Sequence, residues 1–268
     1  MATTNASGSR AARVVLDGVG KRFTTGAPVL ANFTLTAEPG DFVSLIGPSG
    51  CGKTTVLRLL AGLTAPTSGT LAIDGIAPGA SRERLAYIFQ EPTLLPWLNT
   101  LKNVELPLRL RGTEAGARTV AAAEVLQRVN LGHAAQFYPR QLSGGMKMRA
   151  SLARALTLQP GLLLLDEPFA ALDEMTRNRL NEDLLRLRET APFTAFFVTH
   201  SVAEAVFLSQ RVVVLGANPG RIIKEIAVPF LYPRTAALRE SLEYQQVVSH
   251  VTAVLHAILP SSVTEVRR

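Results

Sequence analysis

The 268-residue chain predicts an α/β fold on three observations. Apolar runs such as Phe42-Val43-Ser44-Leu45-Ile46 and Leu162-Leu163-Leu164-Leu165 are continuous and do not alternate, the pattern of strands buried on both faces between helices. A glycine-rich loop, Gly47 to Gly52, joins the first run directly to a helical stretch. Between Gln90 and Pro160 strand signals stop and helical stretches take over, so a helical block interrupts the sheet.

The elements follow in order. Arg13 to Leu16 and Phe33 to Thr36 read as short strands around a turn-rich segment with Gly26 and Pro28. Phe42 to Ile46 is a strand, and Val56-Leu57-Arg58-Leu59-Leu60 belongs to the helix after the glycine loop. Thr70 to Ile73 and Leu85 to Phe89 are further strands. The inserted helices are expected at Lys102 to Arg111, Arg118 to Val129 and Gly144 to Leu158. Leu162 to Leu165 resumes the sheet. After Asp173 comes an amphipathic helix with Leu180, Leu184 and Leu187 on one stripe and a Glu182 to Arg186 pair at i,i+4. Thr194 to Thr199 and Arg211 to Leu215 are the last predicted strands. Val248, Val251, Leu255 and Ile258 give helical spacing to a tail expected to pack on its own domain.

Hydrophobic residues make up 47% of the chain and charged residues 18%, a globular and not a disordered composition. No apolar run approaches the roughly 18 to 20 residues that cross a bilayer. Met1 to Arg10 is small and polar and lacks an apolar h-region, so it reads as a mobile leader of a cytosolic protein. Cys51 is the single cysteine, which fits a reducing compartment. The net charge of +7 admits nucleic acid, a membrane surface or simply a basic composition. The arginines are scattered and form no aromatic-basic stripe, so no specific nucleic acid partner is expected.

Gly47-Pro48-Ser49-Gly50-Cys51-Gly52-Lys53-Thr54-Thr55, between strand and helix, reads as a cradle for a nucleotide triphosphate. Its glycines let successive N–H groups face phosphate oxygens at the positive end of the next helix. Lys53 is placed for the β- and γ-phosphates and Thr54 for Mg²⁺. The alternative, a tight glycine turn, needs neither the lysine nor the hydroxyl after it. Asp166 and Glu167 end an apolar strand, where neighbouring side chains diverge and can take different work. Asp166 suits hydrated Mg²⁺ and Glu167 suits polarising an attacking water, the alternative being a pair of solvated loop acids. Leu142-Ser143-Gly144-Gly145-Met146 opens a helix, either as a second anion site or as a helix capped by Ser143.

At this point the chain resembles the nucleotide-binding subunits of ABC transporters, from about Val14 to Val228. Gly47 to Thr54 matches their Walker A motif, Leu162 to Glu167 Walker B, and Leu142 to Met146 the signature. Gln90 falls at the Q-loop, Ala171-Leu172-Asp173 at the D-loop, His200 at the switch histidine, and Phe23 at the aromatic that stacks on adenine. The resemblance implies a P-loop NTPase core of RecA-like type with an antiparallel β edge and an inserted α-helical subdomain. It divides the chain into a leader, 1–12, an ATPase domain, 13–230, with the helical subdomain at about 91–160, and a helical tail, 231–268. It also implies that two copies meet head to tail, with Ser143, Gly144 and Gly145 of one closing over ATP held by the other. His200 would then position the γ-phosphate and attacking water, while Gln90 would link Mg²⁺ and that water to a membrane partner. Asp173 alone reads as a helix cap, and it can do both. Two departures stand out: Met146 replaces the commonest glutamine, and Ser201 stands where aspartate is frequent, with Ser201-Val202-Ala203-Glu204 expected as a capping box. Neither removes a catalytic group.

Phe89-Gln90-Glu91-Pro92-Thr93-Leu94-Leu95-Pro96-Trp97, Tyr138 to Met146, Glu167 to Asp173 and Asn218 to Ile222 look like the nitrate, sulfonate and taurine importer group. That resemblance implies a peripheral subunit on the cytoplasmic face of the inner membrane, bound to permease subunits and indirectly to a solute-binding protein. Leu94, Leu95 and Trp97 are expected to be exposed for docking, the alternative being that they fold back into the helical subdomain. The alternative is a soluble ABC ATPase acting on nucleic acid or the ribosome, which usually carries a second ATPase half, a zinc module or a long coiled coil.

Overall fold

The computed structural model describes residues 11–24 and 26–258. Two sheets share the chain. Strands β1 (Val14–Lys21), β2 (Leu30–Ala37) and β4 (Ser68–Ile73) form a three-stranded antiparallel sheet in the order β2-β1-β4. Strands β3 (Phe42–Ile46), β5 (Leu85–Ile88), β6 (Leu162–Asp166), β7 (Thr194–Val198), β8 (Arg211–Gly216) and β9 (Arg221–Ala227) form the second, in the order β5-β6-β7-β3-β8-β9. All neighbours in it are parallel except β8 and β9.

Side chains alternate across this sheet and sort into two cores. Leu162, Leu164, Phe196, Val43 and Leu45 face the small sheet and helix α1 (Lys53–Leu60). Leu163, Leu165, Phe197, Phe42 and Val214 face the remaining helices. These are α2 (Thr100–Leu110), α3 (Ala115–Arg128), α4 (Gly144–Leu156), α5 (Glu174–Thr190), α6 (Val202–Leu208) and α7 (Leu242–Ile258). Burial on both faces explains the unbroken apolar runs. Helices α2, α3 and α4 lie between β5 and β6 in the chain and pack on one another.

Several expectations change. Ala11 and Ala12 do not belong to a mobile leader: both are buried, and the Ala12 N–H donates to the Gly161 carbonyl at 3.0 Å. The rest of the expected leader, 1–10, lies outside the described residues, as do 259–268 of the tail. Strand β9 carries no clear sequence signal because it is an edge strand, exposed along most of Arg221-Ile222-Ile223-Lys224-Glu225-Ile226-Ala227. Strand β1 runs on to Lys21 through register shifts at Leu16/Val19 and Val19/Lys21, helped by Gly18 at φ 57°. In α7 Val251 is buried, while Val248, Leu255 and Ile258 pack against the core from partly exposed positions.

The Ser201 capping box is half formed. Ser201 Oγ accepts from the Glu204 N–H at 3.3 Å, but the Glu204 carboxylate accepts instead from Thr199 Oγ1 at 2.5 Å. Thr199 Oγ1 in turn accepts the Ser201 N–H at 3.0 Å, so the hydroxyl stands in for the direct contact.

Candidate functional site

Because β5, β6, β7 and β3 are adjacent and parallel, the loops leaving their C-terminal ends lie side by side, the usual ligand position in an open α/β sheet. Those loops carry Gln90, Asp166 with Glu167, His200, and the glycine loop respectively.

The glycine loop is built around its own lysine. Lys53 is 5% exposed and its Nζ donates to the Gly47 carbonyl at 2.8 Å and the Pro48 carbonyl at 3.0 Å. Gly50 (φ 78°) and Gly52 (φ 96°) take left-handed conformations that a side chain would strain, and Gly52 is the cap of α1. Cys51 is fully buried, with its sulfur 3.9 Å from Lys53 Nζ. Burial pushes its thiol up, against the lysine charge, so it fills space and is a poor nucleophile.

Asp166, ending β6, accepts from Thr54 Oγ1 at 3.0 Å and from the Tyr87 hydroxyl at 2.8 Å. Burial raises the Tyr87 phenol far above its ordinary value, with Asp166 adding to the effect, so Tyr87 stays a donor. Glu167 is at φ 49°, a strained conformation for a non-glycine residue, fixed by its N–H donating to the Val198 carbonyl at 3.0 Å. Its Oε1 lies 2.7 Å from His200 Nε2.

Two hollows lie here and share part of their lining. One, of ≈ 370 Å³, is lined by Phe23, Val29, Ser49, Gly50, Gly52, Lys53, Thr54, Thr55, Glu167 and His200. The other, of ≈ 340 Å³, is lined by Thr54, Phe89, Gln90, Glu91, Thr93, Asp166 and Glu167. Thr54 and Glu167 belong to both. Phe23 is half exposed, with Lys21 Nζ 4.8 Å from its ring centroid. A larger cavity of ≈ 480 Å³ between α3 and the ends of α4 and α5 contains none of the motif residues.

Ser143, Gly144, Gly145 and Asp173 line neither hollow. Ser143 Oγ caps α4 by accepting the Met146 N–H at 3.3 Å, and Asp173 Oδ1 caps α5 by accepting the Thr176 N–H at 2.9 Å. The two caps are neighbours: a Cβ on Gly144 would lie 3.3 Å from Leu172, and one on Gly145 only 2.7 Å from Thr176.

The expected docking residues divide. Trp97 is 69% exposed, but Leu94 and Leu95 are only partly so, and Leu94 packs against the core, which removes it from a docking face. Tyr87, Asn103 and Arg154 belong to no motif that the sequence displays. Tyr87 sits three residues before Gln90, and the other two hold the loop after it.

Known proteins resemble this chain. Residues 30–170 match the family model described as ABC transporter. The taurine import ATP-binding protein of Chromobacterium violaceum is 43% identical over 82% of this chain and 84% of its own length. The aliphatic sulfonates import ATP-binding protein of Bacillus cereus is 42% identical over 83% and 88%. The nitrate import ATP-binding protein of a Synechocystis species is 44% identical over 78% of each. Among solved structures, a dimeric ATP-binding cassette in a post-hydrolysis state, bound to ADP and phosphate, superposes with a TM-score of 0.72 at 32% identity, covering 81% of this chain and all of that one. With the phosphate loop, the acidic strand end and the histidine gathered at one sheet edge, the chain belongs to the ABC transporter family, as an ATP-binding, ATP-hydrolysing subunit.

Proposed function

We propose that this chain drives uptake of a small solute of the nitrate, sulfonate or taurine kind, working as a head-to-tail homodimer beneath separate permease subunits at the cytoplasmic face of the cell membrane. A solute-binding protein would act through the permease. The observation that carries the reading is the separation within one chain: Lys53, Thr54, Glu167 and His200 share a hollow that Ser143, Gly144 and Gly145 do not line. A second copy is the natural source of those missing donors. Among the described residues no helix is long and apolar enough to cross a membrane, and in this reading translocation belongs to the separate permease subunits.

In this reading Lys53 commits two of its three N–H donors to Gly47 and Pro48 and offers the third to a β- or γ-phosphate oxygen. Ser49, Gly50, Gly52 and Thr55 line the phosphate path, and Phe23 offers its exposed ring to adenine. The hydroxyl of Thr54 and the carboxylate of Asp166, in contact with each other, are hard oxygen donors that fit Mg²⁺, with Gln90 reaching from the second hollow. Mg²⁺ bound there would neutralise charge on the phosphates. Glu167 accepts the proton of the attacking water. His200, already against Glu167, orients that carboxylate and the γ-phosphate. Ser143, Gly144 and Gly145 of the second copy close the site at the N-terminus of α4, and Asp173 lies beside them.

The test is uptake in a strain deleted for this gene, supplied in turn with nitrate, taurine and an alkanesulfonate. Wild type restores uptake of one of these, and Glu167→Gln restores none. Restoration by Glu167→Gln, or a growth defect unrelated to all three solutes, contradicts the reading.

A further inference from the structure

The loop between Gln90 and α2 crosses the surface without regular structure, yet two side chains hold it at defined points. Asn103, fully buried on α2, accepts the Leu95 N–H at 2.7 Å and donates to the carbonyls of Leu95 at 3.1 Å and Leu98 at 2.9 Å. Its hold is local, only eight residues away along the chain. Arg154 is different. It comes from the far end of α4, 61 residues on, and grips the loop two residues after Gln90. Its Nη1 donates to the Thr93 carbonyl at 2.8 Å, and its Nη2 donates to the Pro92 carbonyl and Thr93 Oγ1, both at 2.9 Å.

Thr93 is held at φ 47°, a conformation that β-branched residues resist. Such strain persists only where surrounding contacts impose it. Arg154 supplies three of them, from a planar fork that a lysine cannot reproduce. Desolvation depresses the guanidinium, which marks a group taken partly out of water to make these contacts. Helix α4 is the element that Ser143 caps and Gly144 and Gly145 open, about 16 Å along the axis from Arg154.

We propose that Arg154 is a positioning residue that locks the segment Pro92-Thr93 to α4, so that the loop after Gln90 and the Ser143 to Gly145 end of the helix move as one body. Resting on the importer reading, in which Ser143 to Gly145 face ATP held by a second copy, this gives Arg154 an effect on kcat without a contact to the nucleotide. It also fixes the hollow that Gln90 and Thr93 line together.

Trp97 is the only tryptophan in the chain, so its fluorescence reports on this loop alone. The experiment compares wild type, Arg154→Ala and Arg154→Lys by Trp97 anisotropy and acrylamide quenching, with and without Mg-ATP, alongside ATPase kinetics. Arg154→Ala is expected to lower anisotropy and raise quenching, and to reduce kcat about tenfold while KM for ATP stays within about twofold. Arg154→Lys recovers only part of both. Unchanged Trp97 signals and kcat in a folded Arg154→Ala protein overturn the proposal. Arg154→Lys covers the case in which Arg154→Ala fails to fold: it keeps the stem and the charge but not the planar fork that reaches all three acceptors, and it should loosen Trp97 and lower kcat in the same direction. A rigid Trp97 with full kcat in Arg154→Lys also overturns it. If Arg154→Ala loosens Trp97 and lowers kcat of the isolated subunit while solute uptake is unaffected, the lock stands and the importer reading falls.

Discussion

Replacing Arg234 with alanine tests whether the C-terminal segment holds α6, the short helix that starts two residues after His200. A seven-residue helix cannot support itself, and its last carbonyls need partners. Arg234, only 6% exposed, supplies them: Nη1 donates to the carbonyls of Val206, Phe207 and Ser209, each at 2.9 Å. Nε and Nη2 tie the same guanidinium to the Phe230 carbonyl at 3.1 and 2.6 Å, and Tyr232 covers the Leu208 carbonyl at 2.5 Å. Each charged hydrogen bond contributes about 1.5–3 kcal/mol and each orphaned buried carbonyl costs about 1–3 kcal/mol, but the terms overlap because one group makes them all. The expected loss is about 3–5 kcal/mol, or a fall in Tm on the order of 10 °C. Urea unfolding at constant m gives the number directly, and Arg234→Lys should lie between the two because one ammonium cannot reach both Phe230 and α6. A stability within about 1 kcal/mol of wild type refutes this account of the segment.

Three further outcomes are expected. Gly145→Ala drives a Cβ to within 2.7 Å of Thr176 and should destabilise by about 1–3 kcal/mol, a loss that adding Thr176→Ser largely reverses; thermal unfolding of wild type and the two variants decides it. Glu204, buried in the first turn of α6, has its carboxyl pushed up by desolvation, only partly offset by Thr199 and Arg177. Because its folded value lies above the unfolded one, its contribution to stability is full below about pH 4.3 and is lost as pH rises through the raised value. The stability of wild type relative to Glu204→Gln should therefore improve as pH falls through that window, and a pH-independent difference in denaturation midpoints speaks against it. Tyr87→Phe removes one of the two donors on Asp166 and should weaken Mg²⁺ binding about tenfold, read by Mn²⁺ competition, with ATP affinity in the absence of metal unchanged.

The parallel strands were legible because burial on both faces leaves unbroken apolar runs, and the motif loops were legible because each sits at the end of such a run. Strand β9 was not, since at an exposed edge its residues are free of the pattern that burial imposes. The nucleotide site could be read locally, as glycines, Lys53 and Thr54 are consecutive. Tyr87, Arg154 and Arg234 could not, because each acts on a residue that only the fold brings near: Asp166 is 79 positions from Tyr87, and Thr93 is 61 from Arg154. Nothing in the local sequence marks a tyrosine or an arginine for such a partner. The Glu204 carboxylate is an intermediate case, since the capping box was visible but the competing Thr199 hydroxyl was not.

The central claim is that ATP is held between the phosphate loop of one chain and Ser143 to Gly145 of another. Sedimentation of Glu167→Gln, which should bind ATP without cleaving it, tests this most directly when set beside Glu167→Gln/Ser143→Arg. The account predicts a dimer for the first with Mg-ATP and not with Mg-ADP, and an ATP-loaded monomer for the second. A Glu167→Gln protein that stays monomeric with ATP bound, or a double variant that dimerises as well as the single one, would contradict it.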